Sequence, residues 1–326
     1  MARVVRFHEL GGPEVLRIEN VDTPAPASGE IQIRVKALGI NRAEALLRSG
    51  TYIQTAPLPS GLGLEAAGIV EMVGQGVDGF APGDAVSIVP PLSMARWPAY
   101  GEIATYPAEL VVKHPPSLSW EEAAAAWMQY LTAYGALIDI AKFQSEDFVV
   151  ITAASSSVGL AAIQIANMIG AIPIAVTRTS AKKRALLEFG AAHVIASAEE
   201  DLEAGLKRIA GPDGVRVVFD AVGGPIFKPL TAAMAPGGIL IEYGGLSLDP
   251  TPFPLPAKTL TLRGYLVHEI VRDPVRLQAA KAFILDGLSS GSLKPAIART
   301  FPFDQIVEAH RYLESNEQFG KIVVTV

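Results

Sequence analysis

The sequence predicts an α/β protein in which a β-rich domain is interrupted by a doubly wound domain built on a parallel sheet. Three observations carry this reading. Residues 1–118 hold short runs of period-two alternation broken by glycine, proline and aspartate. Residues 119–257 alternate apolar strand-like runs with helical ones, and the chain closes on a further strand, Lys321-Ile322-Val323-Val324-Thr325-Val326. The expected division is therefore 1–118 with 258–326 for the β-rich domain and 119–257 for the inserted one. A chain of 326 residues suits two domains better than one core.

In order along the chain, Ile31-Gln32-Ile33-Arg34-Val35 alternates as a half-buried strand does, and Gly68 to Gly74 reads as a strand closed by glycine. Ala81-Pro82-Gly83-Asp84 is a turn ahead of a strand from Ala85 to Val89, and short strands of this kind suggest a rolled antiparallel domain. At Ser119 the pattern changes. Serine is a good N-cap, and Glu121 and Glu122 complement the dipole of a helix expected to run to about Asp139. Strands are then expected at 148–153, 172–176, 193–195 and 215–220, with helices at 158–169, 181–189 and 201–209 between them. Beyond Ala257 the strand-and-turn character returns, with one helix near 274–288. No internal repeat or low-complexity tract interrupts this order.

Composition narrows the function classes. Half of the residues are hydrophobic and 18% are charged, the balance of a folded chain. No apolar run is long enough to span a bilayer, and the first residues lack the apolar core of a signal peptide, so a cytoplasmic protein without a membrane partner is expected. Cysteine is absent, which excludes disulfides, thiolate nucleophiles, iron–sulfur clusters and cysteine-ligated zinc. A net charge of −6 argues against nucleic acid as a partner. The five histidines, His8, His114, His193, His268 and His310, show no ligand-like spacing, so no metal site is expected and each reads as a surface or turn residue.

The stretch Thr152 to Gly159, "TAASSSVG", lies where a strand turns into a helix. A helix N-terminus at such a turn presents backbone N–H groups and positive partial charge to a pyrophosphate. Glycines normally serve this turn, and here only Gly159 remains. The turn alone fits either a cofactor cradle or a plain strand–helix connection. The next strand ends in Thr177-Arg178-Thr179-Ser180 followed by Lys182, with no carboxylate in the segment. An acidic residue at this strand end suits the ribose 2′-hydroxyl of NAD, whereas arginine suits a 2′-phosphate, so NADPH is the expected cofactor.

Several stretches together resemble one family. They are Arg6 to Leu16, Asn41 to Tyr52, Gly61-Leu62-Gly63-Leu64-Glu65-Ala66-Ala67-Gly68, Gly83-Asp84, Leu131 to Tyr134 through Gly159, Phe189-Gly190-Ala191, Phe219 to Gly224, and Gly320-Lys321-Ile322-Val323. In order and spacing the chain is similar to the zinc-independent quinone oxidoreductase (zeta-crystallin-like) group of the medium-chain dehydrogenase/reductase superfamily. The resemblance implies a GroES-like catalytic domain and a Rossmann NADPH-binding domain. It implies Ala154, Ser155, Ser156, Ser157, Val158 and Gly159 at the pyrophosphate, and Thr177, Arg178, Ser180 and Lys182 at the 2′-phosphate. Thr132, Tyr243, Gly244, Leu266 and Val267 fall on the nicotinamide side, and Val222 and Gly223 on the adenosine side. Lys321 would contact the cofactor, and Asn41 and Tyr52 would face the substrate cleft. A homodimer joined at sheet edges is implied, with 238–243 as the candidate edge.

Three positions depart from the family pattern: Ser156-Ser157 in place of two glycines, Ser197 in place of a tyrosine, and Ala45-Leu46 in place of an aromatic residue. Glu65 reads as a structural partner to an arginine. Without a metal to polarise a carbonyl, conjugated acceptors are favoured, so the expected activity is NADPH-dependent reduction of quinones or α,β-unsaturated carbonyl compounds, with Asn41 or Tyr52 donating to the developing oxyanion. Two alternatives stand beside it: a 2-enoyl thioester reductase, and a nucleotide-binding protein without turnover.

Overall fold

A computed structural model describes residues 1–247, 249–252 and 258–326. It resolves into two compact units, Met1–Gln129 with Leu285–Val326, and Tyr130–Ile284. The first unit begins with β1 (Ala2–Phe7) and β2 (Arg17–Val21), followed by β3 (Glu30–Ile40), α1 (Arg42–Ser49) and β4 (Ser60–Gly61). Next come β5 (Glu65–Val73), β6 (Ala85–Ile88), β7 (Ile103–Pro107), β8 (Val111–Lys113) and α2 (Trp120–Ala125). The expected alternation in β3 holds only in part: Ile31, Ile33 and Val35 are buried and Arg34 is exposed, but Gln32 is buried too, its amide donating to Pro24 O at 2.8 Å. A register shift between Val35 and Ala37 then changes the pattern, and Ala37, Leu38 and Ile40 are all buried. Here α2 lays Ala123, Ala124 and Ala125 against Ala37 and Ala67.

Ser119 caps α2 as expected, its Oγ accepting from Glu122 N at 3.2 Å while the Glu122 carboxylate accepts from Ser119 N at 3.0 Å. The long helix expected from this cap is instead three pieces. After α2 come α3 (Trp127–Tyr134) and a π-wound segment at Gly135–Ile140. The change of winding coincides with Gly135, where a Cβ would lie 2.0 Å from the Tyr265 hydroxyl.

The second unit continues with β9 (Phe148–Ile151), α4 (Ser157–Ile169), β10 (Ile172–Thr177), α5 (Lys183–Glu188), β11 (His193–Ala196) and α6 (Leu202–Ala210). Then follow β12 (Val215–Asp220), α7 (Phe227–Ala233), β13 (Met234–Glu242), β14 (Thr261–Gly264), α8 (His268–Val271) and α9 (Pro274–Ser290). The six strands are parallel, in the order β11-β10-β9-β12-β13-β14. That order reverses between β9 and β12, which makes a crevice at the carboxyl ends of the strands. Val150, Ile174, Val176, Val218 and Leu240 of the sheet pack with Leu206, Phe227 and Leu230 of the helices, the continuous apolar strands of a sheet covered on its face.

α9 returns the chain to the first unit, which finishes with β15 (Ile297–Pro302), α10 (Ile306–Ser315) and β16 (Lys321–Thr325). Its larger sheet runs β15-β16-β3-β5-β6-β8 with β7 also paired to β3, and β2-β1-β4 form a smaller sheet.

Three expectations change. The units divide at 129/130 and 284/285, later than the composition shifts at 118 and 257. The reason is that α2 packs on the β-rich unit while β14 completes the parallel sheet. β13 lies between β12 and β14, so the sheet edge falls at Thr261–Gly264 rather than at 238–243. Lastly, His114, His268 and His310 are buried, and only His8 and His193 are exposed. Among the described residues no helix is long and apolar enough to cross a membrane.

His310, on α10, is the most enclosed of the histidines. It meets Tyr100 edge to face at 5.8 Å, and neither ring nitrogen has a hydrogen-bond partner among the described residues. Burial, with Arg48 and Arg42 nearby, pulls its pKa down to about 3. A depressed histidine pKa gives stability that is present above the unfolded value of 6.5 and lost as pH falls toward 3. His310→Phe should therefore remove a loss of up to ~1.4 kcal/mol per pH unit below that value, read by urea unfolding at stepped pH. Parallel pH dependence of the two proteins would mean that His310 does not titrate on unfolding.

Candidate functional site

The turn after β9 is shaped by a few contacts. Ala153 adopts φ +44°, a left-handed conformation in which glycine would be unstrained. Ser156 N donates to Ala153 O at 2.9 Å, and Ala154 N donates to Val176 O at 3.2 Å, tying the turn to β10. Gly159 is the glycine the geometry requires, because a Cβ there would lie 2.6 Å from Ala154 O and 2.7 Å from Ala154 Cα. Ser156 is the N-cap of α4, its Oγ accepting from Gly159 N at 3.1 Å. The N–H groups of Ser157 and Val158, in the first turn of α4, have no intrahelical acceptor. They form a small positive end suited to an anion.

Across the crevice, Asp220 at the end of β12 is fully buried. Thr152 Oγ1 donates to Asp220 Oδ1 at 2.6 Å and accepts from Ala221 N at 2.8 Å. The same carboxylate accepts from Val222 N at 2.9 Å and Gly223 N at 3.1 Å. The two strand ends at the reversal of order are thereby fixed to one another. Gly223 has φ +65°, and a Cβ on it would lie 2.7 Å from Glu242 Oε1. Tyr243 stacks on Phe219 with centroids 4.0 Å apart, and burial beside Asp220 raises its phenol pKa.

At the end of β10, Arg178 is exposed, and Lys182 Nζ reaches back to donate to Ser155 Oγ at 3.3 Å. The cationic strand end and the phosphate-type turn are thus neighbours. One neighbour of this strand end was missed in the sequence. The strand end has no carboxylate of its own, yet Glu199, from the turn after β11, accepts from Ser180 N at 3.0 Å. That bond lowers the Glu199 pKa and occupies the Ser180 N–H. Only strand pairing brings residues 180 and 199 together, so spacing along the chain gave no signal for it. Ser197 Oγ donates to Thr177 O at 3.3 Å.

Thr177 to Lys182, Val222 with Gly223, Tyr243 with Gly244, and Leu266 with Val267 follow the carboxyl ends of β10, β12, β13 and β14. With the turn after β9 they share one edge of one sheet, where open α/β sheets bind ligands. Thr132 is buried in α3, whose Leu131 carbonyl accepts from Tyr265 Oη at 3.5 Å. The donors and small residues of this edge fit a dinucleotide with an extra phosphate. Gly159 leaves room at the turn, and Arg178 and Lys182 are cations at the neighbouring strand end.

Lys321 does not belong to that edge. It lies in the first unit, 1% exposed, its ammonium donating to Asn41 Oδ1 at 2.5 Å and paired with Glu65. This corrects two expectations: Lys321 is spent internally, and the partner of Glu65 is a lysine rather than an arginine. Gly39 permits the arrangement, since a Cβ there would lie 2.8 Å from both Lys321 Cε and Glu65 Oε1. Glu65 Oε2 accepts from Met128 N at 2.9 Å. Glu44, fully buried, accepts from Asn41 N at 2.9 Å and from Leu64 N at 3.1 Å. Burial pushes Glu44 up to about 7 against the opposing pull of Lys321 and Asn41.

Asn41 is therefore committed inward. Its two amide hydrogens go to Glu44 Oε1 at 3.2 Å and Glu65 Oε1 at 3.1 Å. The reverse amide orientation would set its oxygen against two carboxylates and its NH₂ against an ammonium, so the assignment is fixed by charge. With both hydrogens engaged, Asn41 has none to give a substrate. Tyr52 is half-buried just beyond α1, its N–H bonded to Leu46 O at 3.1 Å. Burial and the charge of Glu44 push its phenol up to about 12, and among the described residues its hydroxyl makes no hydrogen bond. Among the described residues no group of three or more histidine, aspartate or glutamate side chains could hold a metal ion.

Comparison with known proteins shows the family. Residues 27–116 match the family model described as alcohol dehydrogenase GroES-like domain, and residues 189–324 that described as zinc-binding dehydrogenase. The chain is 34% identical to quinone oxidoreductase 1 of Escherichia coli, covering 98% of each, and 30% identical to quinone oxidoreductase of Pongo abelii, covering 99% of this chain and 98% of the relative. The crystal structure of Escherichia coli quinone oxidoreductase complexed with NADPH superposes with a TM-score of 0.90 at 32% identity, covering 100% of both chains. The chain belongs to the quinone oxidoreductase family of the medium-chain dehydrogenase/reductase superfamily.

The buried cluster has a direct test in stability. Lys321→Met would leave Glu44 and Glu65 buried without their cation, at an expected cost of about 3–5 kcal/mol in chemical unfolding. A loss below ~1 kcal/mol, the worth of an exposed pair, would mean that the ammonium is not needed there.

Proposed function

With family membership as the premise, we propose that this protein is an NADPH-dependent, zinc-independent reductase of quinones or α,β-unsaturated carbonyl compounds. The observation that carries the cofactor reading is the sheet edge of the second unit, where a helix N-terminus cut to shape by Gly159 adjoins Arg178 and Lys182. Arg178 and Lys182 hold the 2′-phosphate, and Ser157 and Val158 N–H groups receive the pyrophosphate. The hydroxyl of Ser156 caps the helix, so in this reading it supports the cradle rather than replacing a glycine contact. Thr132, Tyr243, Gly244, Leu266 and Val267 flank the nicotinamide, and Val222 and Gly223 the adenosine.

NADPH supplies a hydride when bound. A conjugated acceptor would develop negative charge on its oxygen, which would take its proton from solvent. Tyr52, whose phenol is neutral at physiological pH and free of internal partners, donates a hydrogen bond to the oxygen as charge develops. Asn41 is a positioning residue, since its amide holds the start of α1 to Glu65 and Lys321. Conjugated acceptors suit this arrangement because they delocalise charge without a metal. A homodimer joined along the β14 edge fits the exposed backbone of Thr261–Gly264.

Arg178→Ala should weaken NADPH binding by about 1.5–3 kcal/mol in fluorescence titration and leave NADH nearly unchanged. Equal losses would make Arg178 structural. Tyr52→Phe should lower kcat and spare NADPH affinity; an unaltered rate would remove it from the reaction. NADPH oxidation should be followed with a quinone, an enone, an enoyl thioester and a simple ketone. Turnover of the first two above the others is expected, and binding with no turnover of any would overturn the reductase reading.

A further inference from the structure

The strand end of β10 is laced to the turn after β11 by backbone and side chain alike. Ser197 N donates to Thr177 O and Ala198 N to Arg178 O, each at 2.9 Å. Glu199 completes the set from the other direction, its Oε1 accepting from Ser180 N at 3.0 Å. Ser180 lies between Arg178 and Lys182 in the chain, so its N–H is withheld from any anion that those cations attract.

The neighbouring charges are already matched with one another. Glu200 accepts from Lys183 Nζ and from Ala196 N, both at 3.1 Å. Arg184 pairs with Glu188 at 2.7 Å. The bond that Glu199 makes is to a neutral N–H, which leaves its negative charge beside the strand end that carries Arg178 and Lys182. A 2′-phosphate is anionic where NADH carries a neutral hydroxyl, so a carboxylate at this strand end works against one cofactor and not the other.

We propose that Glu199 is a specificity-determining residue: its carboxylate opposes a 2′-phosphate and so limits the preference for NADPH that Arg178 and Lys182 create. This rests on the reading of the sheet edge as an NADPH site. Glu199 acts by its charge and by holding the Ser180 N–H, with no proton transfer. Glu199→Gln separates charge from bonding, since a glutamine oxygen can still accept from Ser180 N. Glu199 is exposed and the change nearly isosteric, so the fold is kept.

Fluorescence titration of the wild-type protein and Glu199→Gln with NADPH and NADH tests this. The variant should bind NADPH roughly three- to tenfold more tightly at low salt and NADH unchanged, and the gain should shrink as salt is raised. By calorimetry, AMP should bind both proteins alike, and its 2′-phosphorylated form should favour the variant. An equal shift for NADPH and NADH would make Glu199 a structural tie and overturn the proposal. An unchanged or weakened NADPH affinity in Glu199→Gln overturns it as well. Failure of the cofactor reading is seen separately: NADPH would then bind the wild-type protein no more tightly than NADH, and Arg178→Ala would weaken neither.

Discussion

The ammonium of Lys321, buried against Glu65 and Asn41, is the constraint on which the first unit is built. It joins the last strand to β5 and to the start of α1, and through Glu65 it reaches the backbone at Met128. Removing any one member strands a charge or an amide away from water, so the group stands or falls together. Its cost is met locally: Gly39 gives up a side chain to make room, and Asn41 gives up both amide hydrogens.

The second unit solves a different problem, that of fixing two neighbouring strand ends to one another while leaving the sheet's carboxyl edge open. Thr152 and Asp220 do so with a hydrogen-bond network that spends every buried polar atom on a neighbouring backbone or side chain. Neither residue needs to meet a ligand. The cradle beside them keeps its anion-facing N–H groups because Ser156 satisfies Gly159 alone. The serine-rich turn thus retains the single glycine that close packing demands and accepts strain at Ala153 for the rest.

Much of this was legible in the sequence because it is local. The Ser119 cap and the strand–helix series from β9 to β12 follow from neighbours within one or two turns, and the elements of that series appear within a residue or two of their expected bounds. The misses are non-local. Three histidines were expected at the surface, yet they are buried, because burial of a lone polar ring depends on what other elements bring to it. Asn41 looked like a donor for substrate until Glu44, Glu65 and Lys321, drawn from three elements, took all of its hydrogen-bonding capacity. Glu199 joined the strand end of β10 only through the pairing of β10 with β11. A residue type in a motif gives a chemical capacity; packing decides whether it is already spent.

The central claim is that the sheet edge of the second unit is shaped and charged for a dinucleotide bearing a 2′-phosphate. Equilibrium titration of the wild-type protein with NADPH and with NADH at one salt concentration tests it most directly. The account predicts NADPH binding tighter by on the order of tenfold or more, the worth of a charge-assisted phosphate contact. Equal affinity for the two would contradict it.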